Sequence, residues 1–128
     1  MGTPNSPIRL IKNVQPVMQK GQYVFIALNE NPPFPVDDAF CLFREKEGIT
    51  YVLEKCRADE LQLPYSFIAV WITLNVYSSL KAVGLTARVS EALAKENISC
   101  NAIAAYHHDH VFVPYRDADR AMAILRKL

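Results

Sequence analysis

Residues 67–74, FIAVWITL, and residues 85–97, LTARVSEALAKEN, decide how this chain folds. The first run carries no charge and is apolar on both faces. That pattern belongs to a strand covered on at least one side, and its length favours strand over helix. The second run sets Leu85, Val89, Ala92 and Leu93 on one face and Arg88, Glu91, Lys95 and Glu96 on the other, which is an amphipathic helix with Thr86 as its expected N-cap.

Downstream, Ser99 to Tyr106 and Val111 to Pro114 read as two short strands around the turn 107–110, HHDH, whose residue types tolerate left-handed angles. Asp117 is the expected cap of a last helix that buries Ala118, Ala121, Met122, Leu125 and Leu128, with acidic residues at its start and basic ones at its end. The order is β-α-β-β-α. A split βαβ sheet of the ferredoxin type needs a fourth strand beside its first, so this half is expected to receive that strand from elsewhere.

Upstream, Ser6 and Pro7 resemble an N-cap and first helical position, and a short helix is expected near 7–15. The run 22–30, QYVFIALNE, reads as a strand, and the prolines of 29–38, NENPPFPVDD, forbid regular structure after it. Residues 40–45 and 49–53 form an expected hairpin through Gly48, and residues 54–62 a short helix that stops before Pro64. The first half therefore repeats the second in degenerate form, with one repeat over 1–64 and the other over 65–128. Either Tyr23–Asn29 pairs with Phe67–Leu74, or the long strand closes the first repeat while opening the second. Both arrangements imply one inseparable unit.

The chain has 128 residues, 51% of them hydrophobic and 21% charged, so wholesale disorder is excluded. A net charge of +1 offers no field for nucleic acid or anionic lipid. The longest apolar run, Tyr65 to Tyr77, is shorter than the ~20 residues that span a bilayer. The first residues lack an export pattern, and a cytoplasmic location is expected. Cys41, Cys56 and Cys100 are too far apart for a CxxC site and are expected to be buried, reduced thiols.

Residues 71–114, from WITLNVYSS to DHVFVP, together with 23–30, YVFIALNE, and 43–55, FREKEGITYVLEK, resemble the tandem ACT-domain family, in which a degenerate N-terminal repeat precedes a clearer C-terminal one. The C-terminal repeat is similar to those of eukaryotic cytosolic arginine sensors. The resemblance implies an α+β, ferredoxin-like (ACT) tandem repeat, an antiparallel sheet with helices on one face. It also implies a regulatory module that binds an amino acid or similar small metabolite where two domains meet edge to edge.

Val83, Gly84, Leu85 and Thr86 lie where a helix begins, and unpaired backbone N–H groups there favour a carboxylate. Gly84 either lets a ligand approach the backbone or is a turn glycine. Asn101, Ala102 and Ile103 would form the opposite side of the ACT cleft. The common ACT loop carries an acidic residue and a proline ahead of its glycine. Residues 75–84, NVYSSLKAVG, have neither, so Asn75, Ser78 and Ser79 would supply neutral hydrogen bonds instead, or simply satisfy local backbone.

His107, His108, Asp109 and His110 are read as a structural turn, not a metal site, although alternation could place His108 and His110 on one side. With no GxSxG elbow, no residue is assigned a catalytic role; the chain is expected not to be an enzyme and to need no cofactor or metal. Trp71 is placed in the core, with an acceptor required for its indole N–H. Phe34 and its prolines make either a rigid surface loop or a lid, and Lys20, Arg44 and Arg57 are solvated charges. The expected function is amino acid sensing through conformational or assembly coupling. The alternative is an interaction module, and in either case the protein can form a homodimer through its sheet edge or ACT face.

Overall fold

The computed structural model describes residues 14–75 and 84–128. In chain order the strands are Gln15–Met18 (β1), Tyr23–Leu28 (β2), Cys41–Glu45 (β3), Gly48–Glu54 (β4), Ile68–Asn75 (β5), Asn101–Ala104 (β6) and Asp109–Pro114 (β7). The helices are Lys55–Glu60 (α1), Leu85–Lys95 (α2) and Ala118–Arg126 (α3), with single 3-10 turns at Val36–Asp38 and Tyr115–Asp117. The fold is α+β, two ferredoxin-like repeats of antiparallel strands with helices on one face.

Residues 21–69 form one compact unit. The described residues 14–20, 70–75 and 84–128 form the other. In the first unit the strand order is β3, β4, β2 and the start of β5. β2 runs antiparallel to β4 from Tyr23 opposite Glu54 to Leu28 opposite Ile49. Tyr23 and Val24 then pair with Ala69 and Ile68. The long strand does close the first repeat. Where a helix would follow β2 there is only the 3-10 turn, as the prolines at 32, 33 and 35 require. Phe34 is buried there, its ring edge-on to Tyr51 at 5.2 Å, so the proline loop is pinned to the core with Val24, Ile26, Leu53 and Ala58. Arg57 is not a free surface charge, since its guanidinium reaches Asp38 at 3.0 Å and Glu60 at 2.6 Å.

In the second unit the order is β1, β5, β7, β6. The strand that the C-terminal repeat lacks comes from the beginning of the chain, with Gln15 opposite Asn75 and Met18 opposite Ile72. Of the expected helix near 7–15, residues 7–13 lie outside the described residues, and its last residue, Gln15, instead begins a strand. Pro16 suits an edge position, where its missing donor costs nothing. Residues 14–20 pack with the C-terminal unit for this reason, whereas the repeats at 1–64 and 65–128 follow chain order. α2 and α3 cover one face of this unit. Leu85, Val89 and Leu93 from α2, and Ala121, Met122 and Leu125 from α3, pack on Val70, Ile72, Leu74, Val111 and Val113.

The α2 cap is also corrected. Gly84, not Thr86, holds the N-cap position, and Thr86 is already inside the helix. Asp117 caps α3 by position, but its carboxylate binds Arg120 at 2.9 Å instead of the helix amides, and the same guanidinium donates to the Glu96 carbonyl at 2.6 Å. The start of α3 is thereby tied to the end of α2. Replacing fully buried Leu93 by alanine should lower the unfolding free energy by ~2–5 kcal/mol in urea denaturation.

The expectation of three buried thiols holds only in part: Cys56 is exposed, and Cys41 and Cys100 are half-buried. Burial pushes the Cys100 thiol up, against a smaller opposing effect of its hydrogen bond with Ser90. Maleimide labelling at neutral pH followed by mass spectrometry should therefore modify Cys56 first and Cys100 last.

Candidate functional site at the start of α2

Gly84 adopts φ +82°, a left-handed conformation that L side chains rarely take, and an added Cβ would meet nothing within 4 Å. At this position it turns the chain into α2. Its carbonyl accepts the first helical bond, from the Arg88 N–H at 2.9 Å. Among the described residues no side chain caps the helix, which leaves its first amides as donors.

Beside this turn lies a crevice between α2 and the β6–β7 hairpin, lined by Leu85, Thr86 and Val89 of α2, by Leu74 of β5, and by Ala102, Ile103, Ala104, Asp109, His110 and Val111 of the hairpin. Counted to its open mouth it holds about 230 Å³ of empty space, but only about 10 Å³ can take a water-sized sphere. That is room for about one water molecule.

Of the expected site residues, Leu85, Thr86, Ala102 and Ile103 are brought together here. Gly84 sits next to the crevice in sequence without lining it. Asn75 ends β5 opposite Gln15, and Asn101 is exposed opposite Phe112, so neither lines the crevice. By strand alternation the Asn101 and Ile103 side chains belong to the sheet face away from Ala102, and Ile103 borders the crevice through its backbone. Ser78, Ser79 and Val83 lie outside the described residues.

Sequence reasoning missed Asp109 as a lining residue. It was read as part of a turn, yet β7 begins at Asp109, and the turn is made by residues 105–108 with the Ala105 N–H donating to the His108 carbonyl at 3.0 Å. Asp109 is half-buried, and it has no ion pair among the described residues. Among the described residues it is the one acidic residue lining the crevice. The available signal was its place opposite Ala104 in a hairpin whose other strand had already been assigned to the cleft.

His110 ties the crevice wall to the sheet. The Trp71 indole Nε1–H donates to His110 Nδ1 at 2.9 Å, which supplies the acceptor the sequence reading required. Thr73 Oγ1 lies 3.1 Å from the same nitrogen and accepts from Gln19 Nε2 at 2.9 Å. An Nδ1 that accepts the indole proton leaves the imidazole's hydrogen on Nε2. Trp71 also stacks on Phe112, with centroids 6.0 Å apart. His108 and His110 approach to 6.3 Å between centroids, but with Nδ1 engaged this is not a chelating arrangement. Among the described residues no group of three or more His, Cys, Asp or Glu side chains is placed to hold a metal, and no helix is long and apolar enough to cross a membrane.

Two family models described as ACT domains match the sequence, one over residues 8–70 and one over 66–127. The chain belongs to the tandem ACT-domain family. Among solved structures, a Vibrio cholerae protein of unknown function, described as a possible transport protein, is 39% identical. That match covers 91% of this chain and 90% of the other, with a TM-score of 0.82. An Agrobacterium tumefaciens protein, 16% identical over 88% of this chain and 86% of its own, has a TM-score of 0.64 and shares the fold. No curated protein matches the sequence. ACT domains are in general regulatory modules, often binding amino acids.

His110→Phe should strand the Trp71 indole N–H and cost about 1–3 kcal/mol. Because Trp71 is the only tryptophan, its emission spectrum should shift in the variant while the far-ultraviolet dichroism stays unchanged.

Proposed function

We propose that this protein is a regulatory sensor that binds a free amino acid at the crevice between α2 and the β6–β7 hairpin. The observation that carries this reading is an apolar crevice with the start of α2 on one wall and Asp109 among the residues of the other. Among the described residues no side chain caps α2, and its first turn suits a carboxylate. Asp109 makes no ion pair among the described residues, and its carboxylate suits an ammonium. Leu74, Val89 and Ala102 between them favour a side chain of modest size. Asp109 here fills the part that the loop 75–84, which has no acidic residue, cannot.

The narrowness of the crevice supports coupling. An amino acid is far larger than about one water, so it enters only as the first turn of α2 separates from the hairpin, and the bound and free shapes differ. A ligand that favours the open shape shifts the protein toward it, which is all that a sensor needs. A second reading, an interaction module without ligand, is supported by the bare β6 edge, where Asn101, Ala102 and Ala104 are exposed and no charge or proline protects the strand.

A thermal-shift screen of the free amino acids decides between them. The sensor reading expects a melting temperature that rises with the logarithm of concentration for at least one amino acid, by the ordinary linkage of binding to stability. Asp109→Asn should abolish that rise while leaving the unliganded melting temperature within a few degrees. A flat response to every amino acid would favour the interaction module. Gly84→Val is the poorer probe, because valine at φ +82° is strained whether or not a ligand binds.

A further inference from the structure

α2 is held differently at its two ends, and its last turn is fixed by directional bonds. Asn97 takes φ +60°, so the chain leaves the helix through a left-handed residue. The amides of Glu96, Asn97 and Ile98 return to the carbonyls of Leu93, Ala94 and Leu93 at 3.1, 2.9 and 3.0 Å. Leu93 and Ile98 are both buried. The Glu96 carbonyl lies past the helix's own ladder and accepts from the Arg120 guanidinium at 2.6 Å. That guanidinium is itself fixed, since its other arm donates to the buried Asp117 carboxylate at 2.9 Å, where Arg116 also stands at 3.8 Å. A cation at the end of α2 and an anion at the start of α3 each suit the dipole of their helix.

The first turn has no comparable fastening among the described residues. No side chain caps it, and it is closed by the bond from the Arg88 N–H to the Gly84 carbonyl. Leu85 and Val89 hold it by burial, which is non-directional and lets two surfaces part slightly without any bond being broken. Facing them from β6 are the small side chains of Ala102 and Ala104. A hydrogen bond, by contrast, weakens steeply once its geometry is lost. A displacement of α2 therefore falls on its first turn, the one that lines the crevice.

We propose that Arg120 is a positioning residue for the crevice, which it does not line: by pinning the last turn of α2 to the start of α3, it confines the widening of the crevice to the first turn. The sensor reading gives this opening its purpose, and to that extent the inference rests on it, but the test needs no ligand. Amide hydrogen exchange, followed by NMR on the full unliganded chain and corrected for intrinsic rates, compares the Arg88 amide with the Ile98 amide. In the wild type Ile98 should exchange at least about tenfold more slowly than Arg88. Arg120→Met keeps the aliphatic stem, and it should speed Ile98 at least about tenfold while leaving Arg88 within about twofold. Arg120→Lys keeps the charge but cannot fork to both partners, and should fall between. Arg120→Met with Asp117→Asn removes the bridge without leaving a buried carboxylate unpaired, and should show the same local pattern. Equal protection of Arg88 and Ile98 in the wild type, or variants that speed both amides alike as a general loss of stability does, would overturn the proposal. Failure of the sensor reading shows instead in the thermal-shift screen of the wild type, so the two failures are distinguishable.

Discussion

The antiparallel ladder between β1 and β5 is the constraint on which the C-terminal unit depends. Without Gln15–Met18 beside it, β5 would present one row of backbone donors and acceptors to nothing, and a βαββα repeat would have an open flank at its most apolar strand. The ladder also brings Val14 into the core with Ile72, Leu74, Leu93 and Leu125. Polar bonds lock the same junction, since the Gln19 backbone N–H donates to the Trp71 carbonyl at 2.8 Å and its side chain to Thr73. A segment remote in sequence is thereby made part of the sheet that carries the crevice.

The crevice follows from how α2 is seated. Leu85, Val89 and Leu93 hold the helix on β5 and β7, while the β6 end of the sheet offers α2 only the methyl groups of Ala102 and Ala104. Small residues leave a gap at the helix start. The gap is thin because nothing but side-chain size keeps the surfaces apart. In the proposed sensor reading a ligand enters by widening this gap, which couples occupancy to shape without any separate hinge.

Much of this architecture was legible in the residues. The strand at 67–74 and the helix at 85–97 follow from hydrophobic period alone, and the proline cluster after β2 correctly denies the first repeat its first helix. Other features were misread for identifiable reasons. Gln15 was expected to end a helix near 7–15, while the pairing that makes Gln15–Met18 a strand lies more than fifty residues away. Thr86 looked like the cap because local chemistry ranks threonine above glycine, yet the backbone at Gly84 turns left-handed and starts the helix two residues sooner. Asp109 was absorbed into a turn because its neighbours are turn formers.

The sequence by itself determined the ACT-type order of strands and helices, the faces that α2 and α3 bury, and the need for a strand from outside the second repeat. Those are consequences of periodicity and of backbone hydrogen bonds that must be met, and both are local or countable. Only tertiary structure decided which segment supplies that strand, that His110 accepts from Trp71, and that Asp109 stands on the crevice wall. Each of these depends on the register between strands distant in the chain, and in a β-sheet a shift of one residue sends every side chain to the other face.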